Sequence, residues 1–160
     1  MKILFKLAMV LLYLPMLAHS ETTPEIANEL QLFVHKTPTC GCCKKWLHHL
    51  EQQGITATGV DHQDLGTIKQ QYGVLPQYRS CHTAVSQQGF FFEGHVPAKF
   101  IRHFLTSPLP DAIGLSVPAM PVGSPGMEVG DNFMPYRVLV LFSDGSSRVF
   151  ARVNNYQEQF

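Results

Sequence analysis

Three cysteines fall within four residues, Cys40-Gly41-Cys42-Cys43, between an apolar, β-favouring run and a stretch of helical periodicity. Leu30 to His35 reads as a strand, and Thr37-Pro38-Thr39 breaks it. Trp46, Leu47 and Leu50 recur at helical spacing, which predicts a helix from about Cys42 to Gln53 with Gly54 at its end. The cysteines therefore sit at a helix N-terminus directly after a strand. Unpaired N–H groups and the helix dipole favour thiolates there. Three thiols so close together read as a site for chemistry. A disulfide framework would spread its cysteines over distant loops instead.

The rest of the chain supplies an α/β frame. Thr56 to Asp61 reads as a second strand, and Leu65 to Tyr72 as a short helix closed by Gly73 and Pro76. Thr83 to Gln87 and Phe90 to Glu93 form a hairpin about Gln88-Gly89, with Phe90, Phe91 and Phe92 as strand core. Pro97 to Leu105 reads as a third helix with proline in its first turn. Val138 to Phe142 and Arg148 to Val153 pair around residues 143–146. A crossover helix makes the first two strands parallel. The order is β-α-β-α-β-β-α with an added C-terminal β-hairpin, which is that of a thioredoxin-like domain. Ser107 to Pro135 is rich in Pro and Gly, shows no periodicity, and is expected to be a long loop. It carries Met120, Met127 and Met134.

The first twenty residues read as a cleaved signal peptide. Lys2 and Lys6 begin it, Leu7 to Ala18 is apolar but too short to span a bilayer, and Ala18-His19-Ser20 precedes a cleavage before Glu21. Residues 21–28 are polar and read as a loose arm, and 21–160 are expected to form a single metal-binding domain. Of twelve basic and twelve acidic residues, loss of Lys2 and Lys6 leaves ten against twelve, a net charge of −2. No basic stripe remains for nucleic acid, and no membrane insertion of the mature chain is expected. The mature chain is expected to be exported.

The fourth cysteine is Cys81. In a thioredoxin-like topology the loop entering the third strand lies beside the cysteine helix and usually carries a cis-proline. Here that loop reads Ser80-Cys81-His82-Thr83, so all four cysteines should converge. A two-residue turn at Gln88-Gly89 would place His82 directly opposite His95. Thiolate, imidazole and thioether together suit Cu(I). The candidate metal ligands are Cys40, Cys42, Cys43, Cys81, His82 and His95, with Met120 and Met127 as possible thioether ligands. Neighbouring Cys42 and Cys43 suit bridging, so more than one Cu(I) ion is expected.

Each assignment has a plainer alternative. The cysteines could form two disulfides, and His82 and His95 could be hydrogen-bonded structural histidines. The methionines could fill core gaps, which is the role expected for Met134. His35, His48, His49, His62 and His103 read as surface or packing residues, and Lys44 and Lys45 as a solvated helix face. Cys40 and Cys43 also have the spacing of a thiol–disulfide oxidoreductase. Against this, Cys42 would invite scrambling.

The runs Thr37-Pro38-Thr39-Cys40-Gly41-Cys42-Cys43-Lys44, Ser80-Cys81-His82-Thr83-Ala84, Glu93-Gly94-His95-Val96-Pro97-Ala98 and Met120-Pro121-Val122-Gly123-Ser124-Pro125-Gly126-Met127-Glu128 resemble those of the CopG-type periplasmic copper-resistance proteins, which are unrelated to the DNA-binding repressor of that name. The similarity covers roughly Leu32 to Arg152. It implies a thioredoxin-like fold, copper held by the cysteines and a part in surviving copper stress. The activity could be sequestration, Cu(I)/Cu(II) interconversion, or delivery to other periplasmic copper-handling proteins such as an exporter.

Overall fold

The computed structural model describes residues 30–160; the signal peptide expected at 1–20 and the arm expected at 21–28 lie outside the described residues. Strand β1 (Gln31–Lys36) leads into helix α1 (Gly41–Gln52), then β2 (Thr56–Asp61) and helix α2 (Gly66–Gln71). Strands β3 (Thr83–Ser86) and β4 (Phe91–Glu93) follow, then helix α3 (Ala98–Thr106), β5 (Ala112–Ser116), β6 (Tyr136–Phe142) and β7 (Ser147–Val153). They form one sheet in the order β2-β1-β3-β4-β5-β6-β7. β1 and β2 are parallel, as the crossover helix requires, and β3 runs antiparallel to both β1 and β4.

Side chains alternate across the sheet, and this divides the interior in two. Leu32, Val34, Ala84 and Phe92 face α1 and α3, packing on Trp46, Leu50, Ile101 and Phe104. Val85, Phe91 and Leu141 face the other way, towards Val74 and Tyr72 at the end of α2. Burial of each such side chain contributes about 1.5–3 kcal/mol. Trp46 is fully buried, and its Nε1–H donates to the Val96 carbonyl at 3.0 Å, so its one polar atom is satisfied.

Two expectations need correction. The stretch 107–135 is not all loop, because β5 lies within it and pairs in parallel with β4 and antiparallel with β6. β5 is thus the link that joins the C-terminal hairpin to the rest of the sheet. Its sequence, Ala-Ile-Gly-Leu-Ser, hides the strand signal behind Gly114. That glycine is there because a Cβ would lie 2.0 Å from the Phe91 carbonyl oxygen. The β3–β4 register is also shifted by one. Ser86 N–H donates to Phe90 O at 2.9 Å and Gly89 N–H to Ser86 O at 3.0 Å, so the turn holds Gln87, Gln88 and Gly89, with Gly89 at φ +86°. Thr83 then pairs with Glu93, and His82 lies opposite Gly94 rather than His95.

His49 belongs to the fold. Pro97, the N-cap of α3, has no side-chain hydrogen bond, and the Ala98 N–H instead donates to His49 Nε2 at 3.1 Å. Burial holds the ring's pKa down to about 4, against the pull of Glu128. An imidazole that must accept at Nε2 has to be neutral, so the folded state disfavours the proton that the unfolded chain binds. The stabilisation is complete above about pH 6.5 and is lost as pH falls towards 4, by up to about 3 kcal/mol. In urea unfolding of metal-free protein, His49→Gln should flatten the loss of stability between about pH 7 and about pH 5. Parallel pH profiles for the two proteins would show that His49 does not set this dependence.

Candidate metal centre

The centre lies where α1 begins, on the face of the sheet that α1 covers. Cys40 is the N-cap of α1, and its sulfur accepts the Cys43 N–H at 3.2 Å, as a serine or aspartate oxygen usually does at this position. Cys42 and Cys43 follow in the first turn. Cys40 and Cys43 are joined as a disulfide, and Cys42 and Cys81 are free thiols. The second of the two disulfides in the plainer alternative is therefore not formed. Cys42 Sγ stands 3.6 Å from Cys40 Sγ and 3.8 Å from Cys81 Sγ. The four sulfurs all fall within 4.8 Å of one another, as the topology predicted for Cys81.

Cys81 has a second set of neighbours. Its sulfur is 3.2 Å from His82 Nδ1 and 3.1 Å from His95 Nε2, and these three residues form a second group that could hold a metal ion. The two imidazoles approach, with ring centroids 5.0 Å apart, although they are not paired across the hairpin. They meet through Cys81. The expected proximity is present, and the register argued for it is wrong.

Both rings are held neutral, the state in which imidazole ligates a metal. Burial lowers the pKa of His82 well below its ordinary value, and His95 and Lys69 push it the same way. Burial also lowers His95, against the opposing effects of the Pro125 carbonyl and Glu128. His95 Nδ1 lies 2.7 Å from the Pro125 carbonyl oxygen, which can only accept. Nδ1 therefore carries the proton, and the Nε2 lone pair faces Cys81. His82 Nε2 is buried without a hydrogen-bond partner. His82 faces Cys81 with Nδ1, at 3.2 Å, so the orphaned Nε2, which costs about 1–3 kcal/mol, is the nitrogen turned away from the cysteine. The Cys81 thiol is pushed up to about 12, by burial and then by the neighbouring Cys42.

The Pro/Gly/Met stretch lies against this centre, as expected. Pro125 holds His95, and Gly126, at φ +87°, packs so tightly that a Cβ would fall 2.8 Å from both Cys42 O and Trp46 N. Met134 departs from its expected role. Met120 and Met134 are 50% and 55% exposed, so Met134 does not fill a core gap. Met127 is partly buried, and its carbonyl accepts from Gly123 N–H at 2.9 Å. Lys44 and Lys45 are exposed as expected. His35 Nδ1 and His62 Nε2 meet head-on at 2.8 Å, with centroids 5.0 Å apart, as a hydrogen-bonded pair on the α2 side of the sheet.

Sequence reasoning missed Lys69, Glu93 and Pro125. Lys69 and Glu93 are buried and meet at 2.5 Å beneath the Cys81 loop. The available signals were that Glu93, two residues before His95, and Pro125 both lie in runs already singled out.

Residues 78–127 match a protein family of unknown function, DUF411. No curated protein matches the chain. Two solved structures, forms 2 and 1 of a copper resistance protein CopG, are 43% and 42% identical to it, each with a TM-score of 0.73. Each alignment covers 78% of this chain and 98% of the solved one.

Proposed function

Since the chain belongs to the CopG family of copper resistance proteins, we propose that it binds cuprous ions through Cys40, Cys42, Cys43 and Cys81, with His82 and His95 completing the ligand set. The observation that carries this reading is the double membership of Cys81. One sulfur belongs both to a four-cysteine group and to a cysteine–bis-histidine group, so neighbouring ions could share it. Four thiolates around a single Cu(I) would leave a net charge of −3, and several ions sharing bridging sulfurs relieve that repulsion. Thiolate selects the reduced ion, whereas imidazole binds both oxidation states.

The same residues allow Cu(I)/Cu(II) interconversion. Oxidation of the Cys40 and Cys43 thiolates to their disulfide yields two electrons, enough to reduce two Cu(II) to Cu(I). We read the β1–β4 portion as thioredoxin-like and the protein as exported to the periplasm, handling copper there alone or with other copper-carrying proteins. Met120 and Met127 remain candidate thioether contacts at the edge of the site. Among the described residues, no helix is long and apolar enough to cross a membrane.

The Cys40–Cys43 disulfide also favours a second reading, a thiol–disulfide oxidoreductase. Cys42 Sγ, 3.6 Å from Cys40 Sγ, argues against it by standing ready to intercept mixed-disulfide intermediates. The two readings separate in one comparison. Fully reduced chain should take up more Cu(I) than chain whose Cys40–Cys43 disulfide is intact, and metal-free reduced chain should turn over insulin poorly. Equal copper uptake by both forms, together with thioredoxin-like insulin reduction, would put the oxidoreductase first.

A further inference from the structure

On the face of the sheet opposite α1, a single carboxylate brackets the Cys81-His82 dipeptide. Glu93 Oε1 accepts the Ser80 N–H at 2.6 Å, and Glu93 Oε2 accepts the Thr83 hydroxyl at 2.6 Å. One side chain thus ties down the residue before Cys81 and the residue after His82. Lys69, on α2, closes the bracket. Its ammonium donates to Glu93 Oε1 at 2.5 Å and to Thr83 Oγ1 at 3.1 Å. Glu93 and Thr83 are fully enclosed and Lys69 nearly so. Thr83 and Glu93 are direct partners across the β3–β4 ladder, so the bracket is built into the register. Burial pushes the Glu93 carboxyl above its ordinary range, and Lys69 opposes that shift. Wherever the shared proton lies, the pair is neutral as a whole.

A buried pair of this kind seldom stabilises a fold more than well-packed apolar residues would. The loop it holds is otherwise tied by uncharged groups, the Gly94 N–H on the His82 carbonyl at 3.0 Å and the Ser116 hydroxyl on the Tyr78 carbonyl at 2.8 Å. The Ser80 hydroxyl donates to the Ala119 carbonyl. Glu93 is the last residue of β4 and His95 follows two residues on, so one short segment carries a candidate ligand and the group that fixes two others. We propose that Lys69 and Glu93 are positioning residues for the metal centre, setting Cys81 Sγ and the His82 ring at the spacing at which they meet His95. This rests on the reading of Cys81 and His82 as copper ligands.

Two charge-neutral double variants isolate the bracket. In Lys69→Met/Glu93→Gln the glutamine oxygen can still accept the Ser80 N–H. In Lys69→Met/Glu93→Leu nothing can. Removal of both charged partners together should leave each variant folded, as near-UV circular dichroism and thermal unfolding would report. In metal-free protein, hydrogen exchange at the Ser80 amide should accelerate in the leucine variant and stay slow in the glutamine variant. Cu(I) affinity by competition should fall about tenfold or more in the leucine variant, the scale on which lost supporting partners act, and be retained in the glutamine variant. Wild-type exchange and affinity in both variants would overturn the inference. If the leucine variant fails to fold, Thr83→Val removes one arm of the bracket without changing shape; it should weaken Cu(I) binding at near-wild-type thermal stability, and unchanged copper binding would overturn the inference. Failure of the wild-type chain to bind Cu(I) would overturn the copper reading and the purpose assigned to the bracket, while Ser80 exchange would still report whether the bracket holds the loop.

Discussion

Cys81→Ser is expected to damage copper binding at least as badly as Cys40→Ser, although Cys81 is almost forty residues from the other three cysteines. The reason is geometric. Cys81 Sγ is within 3.8 Å of Cys42 Sγ, 3.2 Å of His82 Nδ1 and 3.1 Å of His95 Nε2, and no other sulfur belongs to both candidate ligand groups. Loss of Cys40 removes one thiolate from the edge of the four-sulfur group. Loss of Cys81 removes the atom the two groups share, and a serine oxygen is too hard a donor to replace it for Cu(I). Cu(I) affinity should fall by more than the roughly 10–100-fold that removal of a supporting partner costs, and the number of ions bound should drop. The fold should survive, because Cys81 is only partly buried and its backbone bonds are unaffected. Competition titration of both variants measures this. A Cys81→Ser protein with wild-type affinity and stoichiometry would remove Cys81 from the site.

His82→Ala and His95→Ala are expected to disturb the oxidised copper form more than the fully reduced one. Thiolates alone hold Cu(I), whereas imidazole binds both states. His95 already has its proton fixed at Nδ1 by Pro125, leaving Nε2 ready to ligate. His82 presents Nδ1 to Cys81 Sγ at 3.2 Å. In the oxidised form each variant should therefore show an altered copper spectrum and about tenfold or more weaker binding. In the reduced form the sulfur-bridged signal should be largely kept. If each ring were only a structural hydrogen bonder, its removal would lower stability, by roughly 1 kcal/mol for the hydrogen bond, and leave both spectra unchanged. Unchanged spectra in both states would leave a cysteine-only centre.

The parts of this centre that a sequence shows are those governed by local pattern. Trp46, Leu47 and Leu50 fix a helix after β1, and that helix carries its cysteines to one end of the sheet. Topology alone then brings Cys81 to them. The parts it hides depend on approach between distant backbones. β5 is masked by Gly114, whose missing side chain is a steric requirement of the Phe91 carbonyl and reads as a loop signal. The hairpin register turns on whether Gln87 belongs to the strand or the turn, and Gln-Gly does not decide it. The histidines meet through Cys81, a convergence no pairwise count could show. Lys69 and Glu93 look like ordinary solvated charges until the fold places one above the other.

The central claim is that several cuprous ions share bridging sulfurs in one cysteine site. Anaerobic titration of fully reduced protein with Cu(I), under competition from a chelator of known affinity, tests it most directly when metal analysis is combined with counting of free thiols. The account predicts saturation above one Cu(I) per chain, with Cys40, Cys42, Cys43 and Cys81 all protected from thiol reagents at the end point. A stoichiometry that stays at one under excess cuprous ion, with any of the four thiols still reactive, would contradict it.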